Sequence, residues 1–198
     1  MIRKLDLSYL RRHQTSNEDV LNVIHDEIEL TIYARVPNVD LIEKLGSEMI
    51  RMEQWEIPTK TDKGRMRIRA INNCQFLLTS KTTTKGVFGC KECSTAIIKA
   101  QFDNIRALCE KGYYKNRVVI PFASHPHRWE VDLHFASGGA YSPWVKIDLE
   151  GFDLSKEIPE ELPFDCEEII LADDPNISES DRRKIEMIWE DEWVKINP

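Results

Sequence analysis

No apolar run in the 198-residue chain approaches the length of a membrane-spanning helix. The opening stretch MIRKLDLSYLRRH is basic but has no apolar centre, so it is not read as a secretory leader. Positive charge is in short supply: 27 Lys and Arg stand against 34 Asp and Glu, a formal net charge of −7. An acidic surface repels polyanions, which argues against broad nucleic-acid binding while leaving room for a local basic pocket. Cysteine is sparse and odd in number, 5 with no framework spacing, which excludes a disulfide scaffold and points to a reducing cytoplasm. Cys90 and Cys93 form a lone CxxC. Zinc would need further ligands such as His125, His127 or Cys109, so two thiols in or near a strand is the simpler reading. Internal repeats and low-complexity segments are also lacking.

What is present is an ordinary globular balance, 41% apolar and 31% charged, with length enough for one sizeable core. Residues 1–17 read as a loosely attached arm, and 18–198 as one domain ending in a helix over 178–197. The clearest stretch runs from Trp129 to Glu150. Glu130, Asp132 and His134 alternate with Trp129, Val131, Leu133 and Phe135. After the turn Ser137-Gly138-Gly139-Ala140, Trp144, Lys146, Asp148 and Glu150 alternate with Val145, Ile147 and Leu149. Period-two alternation around a glycine turn reads as a β-hairpin with one charged face and one apolar face.

The same alternation recurs along the chain. It marks strands over Glu27 to Val36, residues 48–57, Arg65 to Ala70, Cys74 to Lys81 and Lys115 to Ile120, with Glu92, Ser94 and Ala96 continuing the sheet and a short strand at Glu168 to Leu171. Asn72-Asn73 is a turn. Helices are expected after Ser16 or Asn17, on Leu41, Ile42 and Leu45 with a cap at Asn38 or Asp40, and from Phe102 to a stop at Gly112. The last helix is opened by Ser178 and Asp181 and carries the stripe Ile185, Ile188, Trp189, Trp193 and Ile196.

The charges are segregated by strand: Arg65, Arg67 and Arg69 on one, Glu130 and Asp132 on another, Asp148 and Glu150 on a third. A solvated sheet face ordinarily mixes signs along each strand. Segregation together with several amphipathic helices predicts an α+β fold: an antiparallel barrel with charges inside and helices outside. Carboxylates suit Mg²⁺ or Mn²⁺, and guanidinium forks with a lysine suit phosphate oxygens. Phosphoryl transfer to water is the chemistry such an interior serves.

These strands together resemble the CYTH superfamily, which includes CyaB-type adenylyl cyclases, thiamine triphosphatases and triphosphate tunnel metalloenzymes. Glu27-Ile28-Glu29-Leu30-Thr31 is similar to the family's ExExK strand, with Thr31 where the lysine belongs. Arg67-Ile68-Arg69 matches R-x-R, Lys81 ends the next strand, and Glu92 supplies the following acid. Lys115-Asn116-Arg117 matches K-x-R, Glu130-Val131-Asp132 matches E-x-D, and Asp148-Leu149-Glu150 stands for the closing E-x-E. The resemblance covers roughly residues 25–172. It implies an eight-stranded antiparallel tunnel binding a triphosphate or nucleotide with a divalent metal, Mg²⁺ or Mn²⁺.

Carried onto this chain, the resemblance implies metal ligands at Glu27, Glu29, Asp148 and Glu150. Phosphate contacts fall at Arg67, Arg69, Lys81, Arg117 and Lys115, the last expected with Arg65 at the rim or facing solvent. Catalytic acids fall at Glu29, Glu130 and Asp132, with salt bridging to the neighbouring bases as the structural alternative. Arg35, on the face of Thr31, is the residue placed to compensate for the missing lysine. Hydrolysis of tripolyphosphate or a nucleoside triphosphate, ligand binding without turnover, and adenylyl cyclisation all fit such a tunnel. Homodimerisation stays open.

Overall fold

The computed structural model describes residues 30–59, 64–83, 90–121, 128–136, 139–150, 161–192 and 194–195. Strands β1 (Leu30–Arg35), β2 (Glu48–Ile57), β3 (Gly64–Ile71), β4 (Gln75–Thr83) and β5 (Cys90–Ala96) come first. They are followed by β6 (Lys111–Pro121), β7 (Arg128–Phe135), β8 (Tyr141–Glu150), β9 (Glu168–Leu171) and β10 (Val194–Lys195). Helices α1 (Asp40–Glu43), α2 (Lys99–Arg106) and α3 (Glu179–Glu192) lie between them. All the strand pairs are antiparallel, in the order β5-β4-β3-β2-β6-β7-β8-β1-β9, with β10 on β6.

The expected closed barrel is not formed by the described residues. β5 and β9 are the two ends of one ten-stranded sheet and do not pair with each other. The sheet instead curves around a hollow of about 1080 Å³ lined by side chains from β1 through β8. Among the described residues, Arg67, Arg69, Lys81, Glu92, Lys115, Arg117, Glu130 and Asp148 line that hollow.

The other face is apolar, as alternation requires. Leu30, Ile32, Val118, Val131, Leu133, Val145, Ile147 and Leu149 form one buried cluster, covered by Ile42 of α1 and by Leu162, Phe164 and Cys166. Trp55, Ile68 and Ala70 form a second, covered by Phe102 of α2. These two helices sit outside the sheet, as expected. The last does not: Ile188, with Ile185 and Trp189, packs on Tyr33 and Ile170, and the Trp189 ring lies 5.7 Å from Tyr113 and 5.9 Å from His134. Periodicity told that the stripe is buried, but not which face of the sheet buries it.

Several boundaries differ from the sequence reading. α1 is a single turn beginning after Val39, with no side-chain cap from Asn38 or Asp40. α3 ends at Glu192 rather than 197, because Val194–Lys195 pairs with Lys111–Gly112. Its start is as expected: the Asp181 amide donates to Ser178 Oγ at 3.1 Å. Asn72 and Asn73 both have positive φ, 49° and 56°, as a tight primed hairpin turn demands. The N-terminal arm, the first helix, Glu27, Glu29, Trp193 and Ile196 lie outside the described residues.

Gly112 does not stop α2, which ends at Arg106; it lies in β6 opposite Trp55. A Cβ there would overlap the Trp55 ring, which is itself 1% exposed and has no room to retreat. Gly112→Ala is therefore expected to destabilise the fold by about 1–3 kcal/mol through overpacking. Urea denaturation measures this; an unchanged midpoint would refute the packing assignment.

Candidate functional site

The hairpin β7–β8 and its neighbours β6 and β1 build one wall of the hollow. Register places Arg117 opposite Asp132, Glu130 opposite Asp148, Asp132 opposite Lys146 and Thr31 opposite Asp148. Directly opposed residues share a face, so acids and bases from different strands meet. Arg117 donates through Nε to Asp132 Oδ1 at 2.7 Å and through Nη2 to Oδ2 at 3.0 Å, and Nη1 pairs with Glu130. Its Nη2 also lies 3.7 Å from Asp148 Oδ2. Lys115 pairs with Asp132, and Lys146 with Asp148. Arg128 reaches Glu130 Oε1 at 3.0 Å, and the Thr31 hydroxyl donates to Asp148 Oδ1 at 3.0 Å.

This wall answers the alternative raised for the acids: Glu130, Asp132 and Asp148 are salt-bridged to the neighbouring bases. Lys115 does not face solvent; its side chain is 4% exposed. Burial by itself would raise the Asp132 pKa. The Lys115 ammonium and the hydrogen-bonded Arg117 guanidinium more than reverse this and hold the carboxyl well below its usual range. Burial lowers Lys115 in turn. Asp132 opposes that, but Arg117, Arg69 and Lys146 add to it, bringing the ammonium down to about 7.

The opposite wall is basic. Arg65, Arg67, Arg69, Lys81 and Glu92 all line the hollow from β3, β4 and β5. Arg67 Nη2 pairs with Glu92 Oε2 at 3.0 Å, while its buried Nε has no hydrogen-bond partner. Arg69 donates twice, through Nε and Nη2, to Gln54 Oε1 at 3.2 Å each. Gln54 Nε2 in turn donates to the Tyr113 hydroxyl at 2.5 Å. Burial, then Arg67 and Arg117, lower the Arg69 pKa, a sign of cations crowded together.

Not every expected residue joins the site. Arg35 is half exposed and pairs with Glu167 at 2.7 Å, so it does not stand in for the missing lysine. Strand alternation places it on the face of Thr31, but at the far end of β1, beyond the hollow. Glu150 lies opposite Arg128 in the backbone ladder, and its side chain, like Glu27 and Glu29, lies outside the described residues. His134 is buried against Tyr113 and Trp189, a packing role. Trp144 packs beside Tyr33 and Ile188.

Cys93 is exposed and Cys109 buried, and the described residues contain no group of three or more metal-ligating side chains. That count bears on the divalent ion as well. Both oxygens of Asp148, the one expected metal ligand whose side chain is described, are engaged by Thr31 and Lys146. Sequence reading gave no role to Lys146, Gln54, Tyr113 or Arg128. Lys146 had a signal, its i−2 place on the face of Asp148; Gln54 had only its place in the alternation of β2.

Two solved structures resemble the chain, one described as the hypothetical protein NE1496 and the other as the inorganic triphosphatase NE1496. Each is 18% identical to it with a TM-score of 0.46, and the matches cover 76% and 77% of this chain and 93% and 91% of theirs. No protein-family profile and no curated protein matches the chain.

The buried cluster sets two expectations for stability. Asp132→Asn leaves Lys115 and Arg117 buried without their main counter-charge, a loss of about 3–5 kcal/mol by urea denaturation; a loss under 1 kcal/mol would remove Asp132 from the centre of the cluster. For Lys115, the folded pKa of about 7 is depressed below the unfolded value, so between these values the unfolded chain binds the extra proton. Stability therefore rises with pH from 7 to 9, by at most about 1.4 kcal/mol per unit. Lys115→Met flattens that slope. An equal slope in the variant would contradict the assignment.

Proposed function

We propose that the hollow is a triphosphate site and that hydrolysis of the bound triphosphate, inorganic or nucleoside, is its reaction. The observation that carries the binding half is Arg69. Among the described residues no carboxylate pairs with its guanidinium; its hydrogen bonds go to a neutral amide, and Arg67 stands beside it on the same face. An uncompensated, partly buried cation is costly, and an anion in the hollow relieves it. Arg67, Arg69, Lys81 and Arg117 surround the space from three strands, which suits several linked anionic groups better than one. Guanidinium forks favour the geometry of phosphate oxygens. A volume of about 1080 Å³ exceeds what a single phosphate fills.

For hydrolysis, the chain's part is positioning and charge stabilisation. Glu130 lines the hollow, whereas Asp132 is 0% exposed and serves to hold Arg117 and Lys115. Glu130 is then the acid placed to take a proton from water as that oxygen bonds to the terminal phosphorus. The bridging P–O bond breaks, diphosphate (from tripolyphosphate) or the nucleoside diphosphate leaves with its electron pair, and the proton passes to solvent. Arg117, which binds Glu130 in the free protein, turns to the incoming phosphate. No step is assigned to a metal, because Asp148, the expected ligand that is described, is already engaged by Thr31 and Lys146.

A second reading, a site that holds its ligand without turnover, is favoured by Thr31, whose hydroxyl is committed to Asp148.

Calorimetric titration with tripolyphosphate and an assay of phosphate release separate the two. Arg69→Ala is expected to weaken binding about 10- to 100-fold, the scale of a lost charged hydrogen-bonding group. Glu130→Gln is expected to keep the affinity within about threefold and lower phosphate release at least about 100-fold. Binding with no release in the unaltered protein would leave the second reading; no binding at all would dispose of both.

A further inference from the structure

Lys146 and Asp148 stand two apart on β8, so both side chains point into the hollow, and the register sets Lys146 opposite Asp132 and Tyr33. The ammonium pairs with Asp148 Oδ2, and the Thr31 hydroxyl donates to Oδ1. Glu130 gives its two oxygens to Arg117 and Arg128. Asp132 gives both of its oxygens to Arg117, with Lys115 on Oδ2. All six oxygens of these three carboxylates therefore accept from side chains of the chain itself. Within this described group, four cations meet three carboxylates.

Hard divalent cations need several oxygens free to coordinate and a local excess of negative charge. Neither condition is met by these three carboxylates. We infer that Lys146 occupies the place at Asp148 that a divalent cation would require, so that the hollow binds polyphosphate without one. The Lys146 side chain is 17% exposed and lines the hollow, so its ammonium meets an arriving phosphate while staying anchored on Asp148. An ammonium is a compact point charge and neutralises phosphate oxygens without demanding a coordination geometry. Asp148, which sequence resemblance gives to a metal, is thereby neutralised by a lysine of the same strand.

This rests on reading the hollow as an anion site, and the test keeps the two apart. Tripolyphosphate is titrated calorimetrically into the whole protein in EDTA, and again with Mg²⁺ or Mn²⁺. The dissociation constants are expected to agree within about threefold, beyond the metal's own capture of free tripolyphosphate. Mn²⁺ alone, followed by electron paramagnetic resonance, is expected not to bind at micromolar concentration. Lys146→Ala is expected to lose affinity about tenfold in EDTA and to bind Mn²⁺ through the freed Asp148. Tripolyphosphate binding that appears only with metal overturns the inference and leaves the anion site standing. So does Mn²⁺ binding to the unaltered protein that Asp148→Asn abolishes. Absence of tripolyphosphate binding in every buffer overturns the anion site, and the inference with it.

Discussion

A carboxylate cut off from water has to be answered by cations, and Asp132 is the one on which this sheet is registered. Its neighbours Val131 and Leu133 are buried in the apolar core on the opposite face. A slip of one residue between β6 and β7 would put the carboxylate among aliphatics and the aliphatics among charges. The pairing of Arg117 with Asp132 and the packing of Val118 on Val131 are thus one constraint seen from two sides. A buried ion pair adds little net stability compared with an apolar pair, but a mispaired one is severely penalised. Its effect is to exclude alternative registers, and the hollow inherits its geometry from that exclusion.

The alternation of residues was readable because a sheet enforces it, and the strand at Glu168–Leu171 and the Asn72-Asn73 turn were placed correctly on the same grounds. Segregation of charge by strand was also readable. Its meaning was not, because sign along one strand says nothing about sign across the sheet. β6 brings Lys115 and Arg117, β7 brings Glu130 and Asp132 with Arg128, and β8 brings Lys146 beside Asp148. Laid antiparallel, these strands make a mixed, neutralised wall, which a strand-by-strand reading takes for a bare acidic one. Among the described residues β3 keeps Arg69 without a facing acid, because the residue opposite it on β2 is the neutral Gln54.

Closure of the sheet is likewise a long-range property. Whether β5 meets β9 depends on twist accumulated over the whole sheet, and no local pattern encodes it. The same holds for Gly112. Read along the sequence it is a helix stop; in the fold it lets a tryptophan from the neighbouring strand lie against the backbone. Close approach of a large ring and a signal for chain reversal both select glycine, and the sequence alone does not separate them.

The aromatic cover and the basic clamp are parts of one device. Trp189 of α3 packs its ring against Tyr113, and burial, aided by the Asp132 charge, pushes the Tyr113 pKa up to about 12. The phenol therefore stays neutral through the physiological range, and its oxygen accepts the Gln54 amide. An amide has one donating and one accepting end. With Nε2 committed to Tyr113, Oε1 is turned to Arg69, which it holds in place without cancelling its charge. A carboxylate at residue 54 would grip Arg69 more strongly and leave it nothing to offer an anion. The helix that covers the charged face thus fixes, through a tyrosine and a neutral amide, the orientation of a guanidinium whose charge remains available in the hollow.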